Sequence, residues 1–169
     1  SKEKLLEALF VHRISSSRVL LQSLLENTGL DPHQKIEVLV NSYVDKWFGN
    51  LAFFQIMSRE PAIKEIKEIS TIVNATKLRN HRIVARLIEQ GQQSGHFREN
   101  IDVALMMQTI MGTLMSVFNS IDFLKTIYQV EQQPTGEFTV ALGKKVKIHL
   151  NLMLRSALSA PVKNNVEKS

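Results

Sequence analysis

Residues 103–121, VALMMQTIMGTLMSVFNSI, run for nineteen positions without a charged side chain. Val103, Met106, Met107, Ile110, Leu114, Val117 and Ile121 recur at three- and four-residue steps, which puts them on one face of a helix. Ala104, Met111, Gly112 and Met115 form a second apolar face. A helix apolar on two faces needs two partners, its own core and another surface. The length also approaches that of a membrane span. However, Gln108, Thr109, Thr113, Ser116, Asn119 and Ser120 interrupt the run, no second run of this kind exists, and flanking aromatic belts are absent. The stretch is therefore read as an interface helix in an all-α protein.

Working outward, Asn100 can cap this helix and Asp102 falls in its first turn, where the helix dipole favours a carboxylate. Upstream, Ile63, Ile66, Ile69, Val73, Ile83, Leu87 and Ile88 keep a helical period from Pro61 to Gly91 or Gly95. Asp31-Pro32-His33-Gln34 has the spacing of a capping box with proline at the first helical position. Ile36, Val40, Tyr43, Trp47, Phe48 and Leu51 continue from it as an apolar face, and Leu51–Ser58 reads as a short further helix. Residues 1–27 form an amphipathic helix through Leu6, Phe10, Ile14, Leu21 and Leu25. Downstream, 132–136 reads as a loop. Residues 138–160 fit a helix, although Phe138, Val140, Leu142, Val146, Ile148, Leu150 and Leu152 alternate as a strand would. With no partner strand in view, the helix is preferred. The tail beyond Pro161 is polar and expected to fray. The expectation is one all-α domain over 1–160, a bundle of about six helices.

Composition agrees and excludes much. Leu, Ile, Val and Phe make up 56 of the 169 residues, enough to build a core and to exclude general disorder. There is no Cys, which removes disulfides, thiol nucleophiles and Cys-held metals. Absence of a signal-peptide pattern makes the cytoplasm the simplest setting. The net charge of +5 is dispersed. The groups Lys77, Arg79, Arg82, Arg86 and Lys144, Lys145, Lys147 read as solvated faces. No phosphate loop, dinucleotide fingerprint, H-E-x-x-H or G-x-S-x-G is present. The five histidines are scattered, so no metal, cofactor or catalytic residue is assigned. A binding module is favoured over an enzyme.

Ser1-Lys2-Glu3-Lys4-Leu5-Leu6-Glu7-Ala8 resembles the segment that follows the DNA-binding motif in the tetracycline-repressor (TetR) family of transcriptional regulators. Gly91-x-x-x-Gly95-x-Phe97-Arg98, followed by Asp102, resembles that family's G-x-x-x-G-x-F turn before the first of two interface helices. Gly112 and the order of helices agree with this. The resemblance implies a ligand-binding and dimerisation domain whose first helix, 1–27, would join a helix-turn-helix domain. That domain is absent from this sequence, so no DNA-contacting residue is assigned and operator DNA would be reached only through it. The resemblance further implies a homodimer, most often a repressor, released from DNA by a small apolar or amphipathic effector. A helical adaptor without DNA binding is the alternative reading, and a helix-bundle enzyme or carrier the third.

For the effector pocket the candidates are His12 and Ser16 on the first helix, Tyr43 and Trp47 on the second, Thr76 and Asn80 on the third, and Met106, Met107 and Thr113 on the fourth. Apolar walls with a few polar groups are what such a site needs. Tyr43, Trp47, Met106 and Met107 equally suit a plain core, His12 a half-exposed site, and Thr76 and Asn80 a watered face. For the dimer interface the candidates are Ala104, Gln108, Met111, Gly112, Met115 and Asn119, with Val146, Leu150 and Leu154 on the last helix. Gly112 would let two helices approach closely, or simply relieve packing within one chain.

Overall fold

The computed structural model describes Ala8, residues 19–51 and residues 67–160, without the side chains of 67–69. The elements are α1 (residues 19–26), α2 (Pro32–Phe48), α3 (Lys67–Gln93), α4 (Val103–Asn119), α5 (Ile121–Ile127) and α6 (Thr135–Leu158). Among the described residues every regular element is a helix, as the periodicity predicts. The expected short helix beyond Leu51, the candidates His12 and Ser16, and the tail after Ala160 lie outside them.

The start of α2 follows its sequence closely. The Asp31 carboxylate accepts from the Gln34 N–H at 2.9 Å, and Gln34 Oε1 accepts from the Asp31 N–H at 2.9 Å, with Pro32 in the first turn. Two donors that the helix leaves unpaired are thereby satisfied. The Gln34 backbone bond, more than any other influence, holds the Asp31 carboxyl below its ordinary value. The stabilisation is therefore complete above the ordinary carboxylate range and is lost as pH falls through the depressed folded-state value. Asp31→Asn keeps the cap and removes the titration. Between about pH 5 and about pH 3, the urea midpoint of the wild type is expected to fall further than that of the variant. Parallel curves would refute this role.

α2 runs through the middle of the domain. Ile36, Leu39, Val40, Val44 and Trp47 are buried along it. It packs mainly on α6 and α3. Lys35 Nζ donates to Gln90 Oε1 at 3.3 Å, and Gln90 Nε2 to the Leu25 carbonyl at 3.4 Å, tying α1, α2 and α3 together. Asn151 Nδ2 donates to Asn41 Oδ1 at 2.9 Å, and Lys147 pairs with Asp45 at 2.6 Å, both between α2 and α6. Asp45 is exposed and Lys147 only half-buried, so little stability is assigned to the ion pair.

α3 passes through Gly91 and stops at Gln93. Gly95 follows at φ 76°, the left-handed conformation that closes a helix. The chain then doubles back. His96 and Phe97 both donate their backbone N–H to the Gly91 carbonyl, at 2.9 and 3.0 Å. The Phe97 ring lies where Gly91 lacks a side chain: a Cβ there would come within 2.0 Å of Phe97 Cδ2. Phe97 also meets the His33 ring edge-on at 4.9 Å. Beyond it, Arg98 N–H donates to the Leu158 carbonyl and Ala160 N–H to the His96 carbonyl, an antiparallel bridge from this turn to the end of α6.

α4 is capped by Asp102, which accepts from the Leu105 N–H at 2.9 Å. Asn100, the expected cap, instead sits two residues earlier at φ 60°. The helix breaks at Ser120, and α5 leaves at 78°. Among the described residues no single helix is long and apolar enough to cross a membrane; α4 and α5 reach that composition only together, across the bend. α6 begins at Thr135, so the expected 132–136 loop is shorter than anticipated. The helical reading of 138–160 holds, and its strand-like alternation has a physical cause. Phe138, Leu142, Val146, Leu150 and Leu154 face inward, while Val140, Ile148 and Leu152 face outward. A helix apolar on opposite sides mimics period two wherever the two stripes interleave.

Candidate functional site

Three regions bear on function: the inner face between α2 and α3, the outer faces of α4 and α6, and a cleft between the latter two.

The inner face of α3 changes character along its length. Val84, Leu87 and Ile88 are almost completely buried. About two to three turns before Val84, Ile72, Val73 and Thr76 are only half-buried. Packing thus loosens toward the N-terminal half of the helix, and Asn80 stands at the transition. Asn80 is 8 % exposed, a buried amide in a largely apolar interior. It hydrogen-bonds the phenol of Tyr43 on α2. Its Oδ1 accepts nothing among the described residues, so the amide N–H is the donor in that bond. Burial raises the Tyr43 phenol above its ordinary value, and the Asn80 bond partly opposes the shift. The phenol is therefore neutral near pH 7. Lys46, one turn from Tyr43, is half-buried and its ammonium is held below the usual lysine range by burial. Arg79 Nε is also buried without a partner among the described residues.

The pocket candidates are thus only partly brought together. Tyr43 and Asn80 meet, and Thr76 stands one turn from Asn80. Trp47, one turn from Tyr43, is buried against Phe118, with ring centroids 6.3 Å apart. Met106 and Met107 are more than ten residues before Phe118 on α4, about 16–18 Å along the axis at 1.5 Å per residue. Met106 lines a different region, and Met107 is half-buried against the core. Thr113 is half-buried, its hydroxyl donating to the Thr109 carbonyl within the helix.

The outer faces contain one correction. On α4, Ala104, Gln108, Gly112, Met115 and Asn119 are exposed, and a Cβ on Gly112 would meet nothing within 4 Å; Met111 packs partly on the core. On α6, Val146, Leu150 and Leu154, expected at an interface, are instead in the chain's own core, Leu150 at 0 % exposure. Their stripe is the more regular of the two on this helix, and that regularity reflects the core of the same chain. The outward residues are Val140, Ile148 and Leu152, with Leu105 added on α4. Ile148 and Leu152, at 70 % and 69 % exposure, are one turn apart. In the sequence both belong to the alternating pattern, which by itself assigns them no role.

Between the start of α4 and the end of α6 lies an open cleft of about 250 Å³. Met106, Leu154 and Leu158 form its buried floor, Thr109 and Met153 its walls, and Arg98, Asn100 and Asp102 its rim. Arg98 is fixed there by a hydrogen bond to the Ser156 carbonyl at 3.1 Å. Among the described residues no cluster of His, Asp or Glu could hold a metal ion.

A TetR C-terminal family model, described as YsiA-like protein, C-terminal region, matches residues 24–141. No curated protein matches the chain.

Proposed function

The chain belongs to this TetR-type family of C-terminal regions, and from that premise we propose that it is the effector-sensing and dimerising part of a transcriptional regulator. The regulator binds operator DNA through a helix-turn-helix domain joined to the first helix, and acts as a repressor. Its role is binding, not catalysis. A small, mainly apolar effector enters between α2 and α3, and the resulting shift reaches the DNA-binding domain through the joining helix. The effector needs only to prefer the arrangement that does not fit DNA, and a coupling of about 1–3 kcal/mol is typical for such switches.

The observation that carries this reading is the loosening of the core around Asn80. A buried, incompletely paired amide beside half-buried apolar residues costs stability in a plain structural bundle, and is what a ligand site retains. The two-sided helices support the second half of the proposal. Leu105 and Met115 on α4, with Val140, Ile148 and Leu152 on α6, give an exposed apolar surface suited to a two-fold four-helix contact.

Sedimentation at about 10 μM tests the dimer. The wild type is expected at twice the chain mass of 19.2 kDa. Ile148→Glu with Leu152→Glu is expected to sediment as a monomer with unchanged helical circular dichroism, because both positions are exposed. A wild-type monomer at that concentration refutes the dimer and favours the adaptor reading.

A further inference from the structure

We propose that the corner where the turn after α3 meets α2 and the end of α6 is an acid-sensitive clasp, and that His33 is the group whose protonation loosens it. The inference is independent of the effector site and adds a response to pH.

Geometry singles out His33. It is the second residue of α2, where unpaired backbone N–H groups and the helix dipole disfavour a positive charge. Its half-buried ring meets that of Phe97 edge-on with centroids 4.9 Å apart, and the His96 ring lies 6.4 Å away. On another side His33 borders a small recess that it shares with Glu37 and with Leu154, Arg155 and Leu158 of α6. Phe97 is seated in the hollow at Gly91, and its turn is tied to the end of α6 by two backbone bonds, Arg98 to Leu158 and Ala160 to His96. His33 thus touches the ring around which the clasp is built.

The surrounding charges decide the sign. Asp31 before the helix and Glu37 one turn along it favour the imidazolium. Both carboxylates are exposed and screened by water, and that of Asp31 already accepts from the Gln34 N–H. Against protonation stand the burial of the ring, Arg155 on α6, His96 in the turn and the N-terminus of α2. α3 contributes no residue to the recess. The negative end of the α6 dipole is largely spent, because the Arg155, Ser156 and Leu158 carbonyls already accept hydrogen bonds. Burial first, then Arg155, holds His33 below the ordinary histidine value. The closed corner is therefore fully favoured above that ordinary value, and the preference is lost as pH falls through the lowered folded-state value. A ring released to water takes the proton more readily, so acid opens the corner.

Amide hydrogen exchange of the full chain, followed by NMR at about pH 7.5 and about pH 5.5 with labelling times scaled for the intrinsic rate, tests this. The lower pH lies above the range in which the Asp31 cap titrates. In the wild type, protection of the Arg98 and Ala160 amides is expected to fall by a factor between about 2 and 10 relative to the core amides of Val40 and Val44. The upper limit reflects the one unit between the lower pH and the ordinary histidine value. His33→Phe keeps a ring against Phe97 and cannot titrate, so its ratio is expected to stay constant with pH. His33→Gln, which is smaller, covers the case in which the phenylalanine ring does not fit. His96→Gln is expected to keep a response of about twofold or more. A constant ratio in the wild type overturns the proposal. So does an equal fall in the His33 variants, and so does loss of the response in His96→Gln, which would make His96 the sensor.

Discussion

Leu150→Ala is expected to lower the stability of the folded chain by about 2–5 kcal/mol, while Leu152→Ala, two residues along the same helix, changes it by about 0.5 kcal/mol or less. Leu150 is completely buried and Leu152 is 69 % exposed. Removing the three outer carbons of Leu150 opens a cavity in the core that α6 shares with α2, which cannot collapse without moving one helix from the other. For a chain of this size each kcal/mol shifts Tm by about 2–4 °C. Urea unfolding, followed at several protein concentrations, checks both halves. The Leu150 variant should lose midpoint at every concentration. The Leu152 variant should lose it only where subunits associate. Equal losses at high dilution would mean that the two faces of α6 are not distinct.

Gly91→Ala is expected to destabilise the wild type by about 1–3 kcal/mol, the usual cost of overpacking, and to stabilise a Phe97→Ala background. Alanine is normally the better helix residue by about 1 kcal/mol, so the sign in the wild type depends on the clash. The added methyl would lie 2.0 Å from Phe97 Cδ2, and the ring is nearly buried and backed by His33. It cannot swing aside cheaply. Phe97→Ala alone should cost about 3–5 kcal/mol. With the ring gone, the methyl added by Gly91→Ala no longer clashes and fills part of the void. The four midpoints of this cycle give the coupling directly, and about 1 kcal/mol or more is expected for residues in contact. Additivity would show that the glycine serves some other purpose than seating the ring.

Much of this architecture was legible because polar punctuation and apolar period carry it. Asp31, Pro32 and Gln34 announce α2 by the chemistry of the bonds they make. The outer face of α4 was largely legible too, since its two stripes differ in kind: Ala104, Gln108, Gly112 and Asn119 are small or polar, while Ile110, Leu114 and Phe118 are large. On α6 the stripes are alike. Leu150 and Leu152 are the same residue, and periodicity says that a face is apolar without saying which partner covers it. The inward direction was set by α2, a contact between residues more than a hundred positions apart, such as Asn41 and Asn151. The pocket candidates divided for a similar reason. A polar residue interrupting an apolar row, as Asn80 does, marks a place where the interior must hydrogen-bond, and that signal is local. Which end of α4 meets Trp47 is not local, and Met106 was accordingly grouped with residues that lie far along the helix from it. The shift from Asn100 to Asp102 as the cap is finer: both can accept from a helix N–H, and the left-handed backbone at Asn100 leaves the role to the next suitable side chain.

The bridge between Phe97 and Ser159 spans the whole of α4, α5 and α6. Closing a loop that long has an entropic cost which is recovered only once its ends have met. The turn after α3 can form its local bonds to Gly91 early, but the pairing of Arg98 with Leu158 and of Ala160 with His96 requires the last helix to be complete. During synthesis, the seam that holds the two outward-facing helices in register is therefore one of the last to close, after the residues that follow Leu158 have left the ribosome. Until then, the exposed apolar sides of α4 and α6 are present without their final alignment.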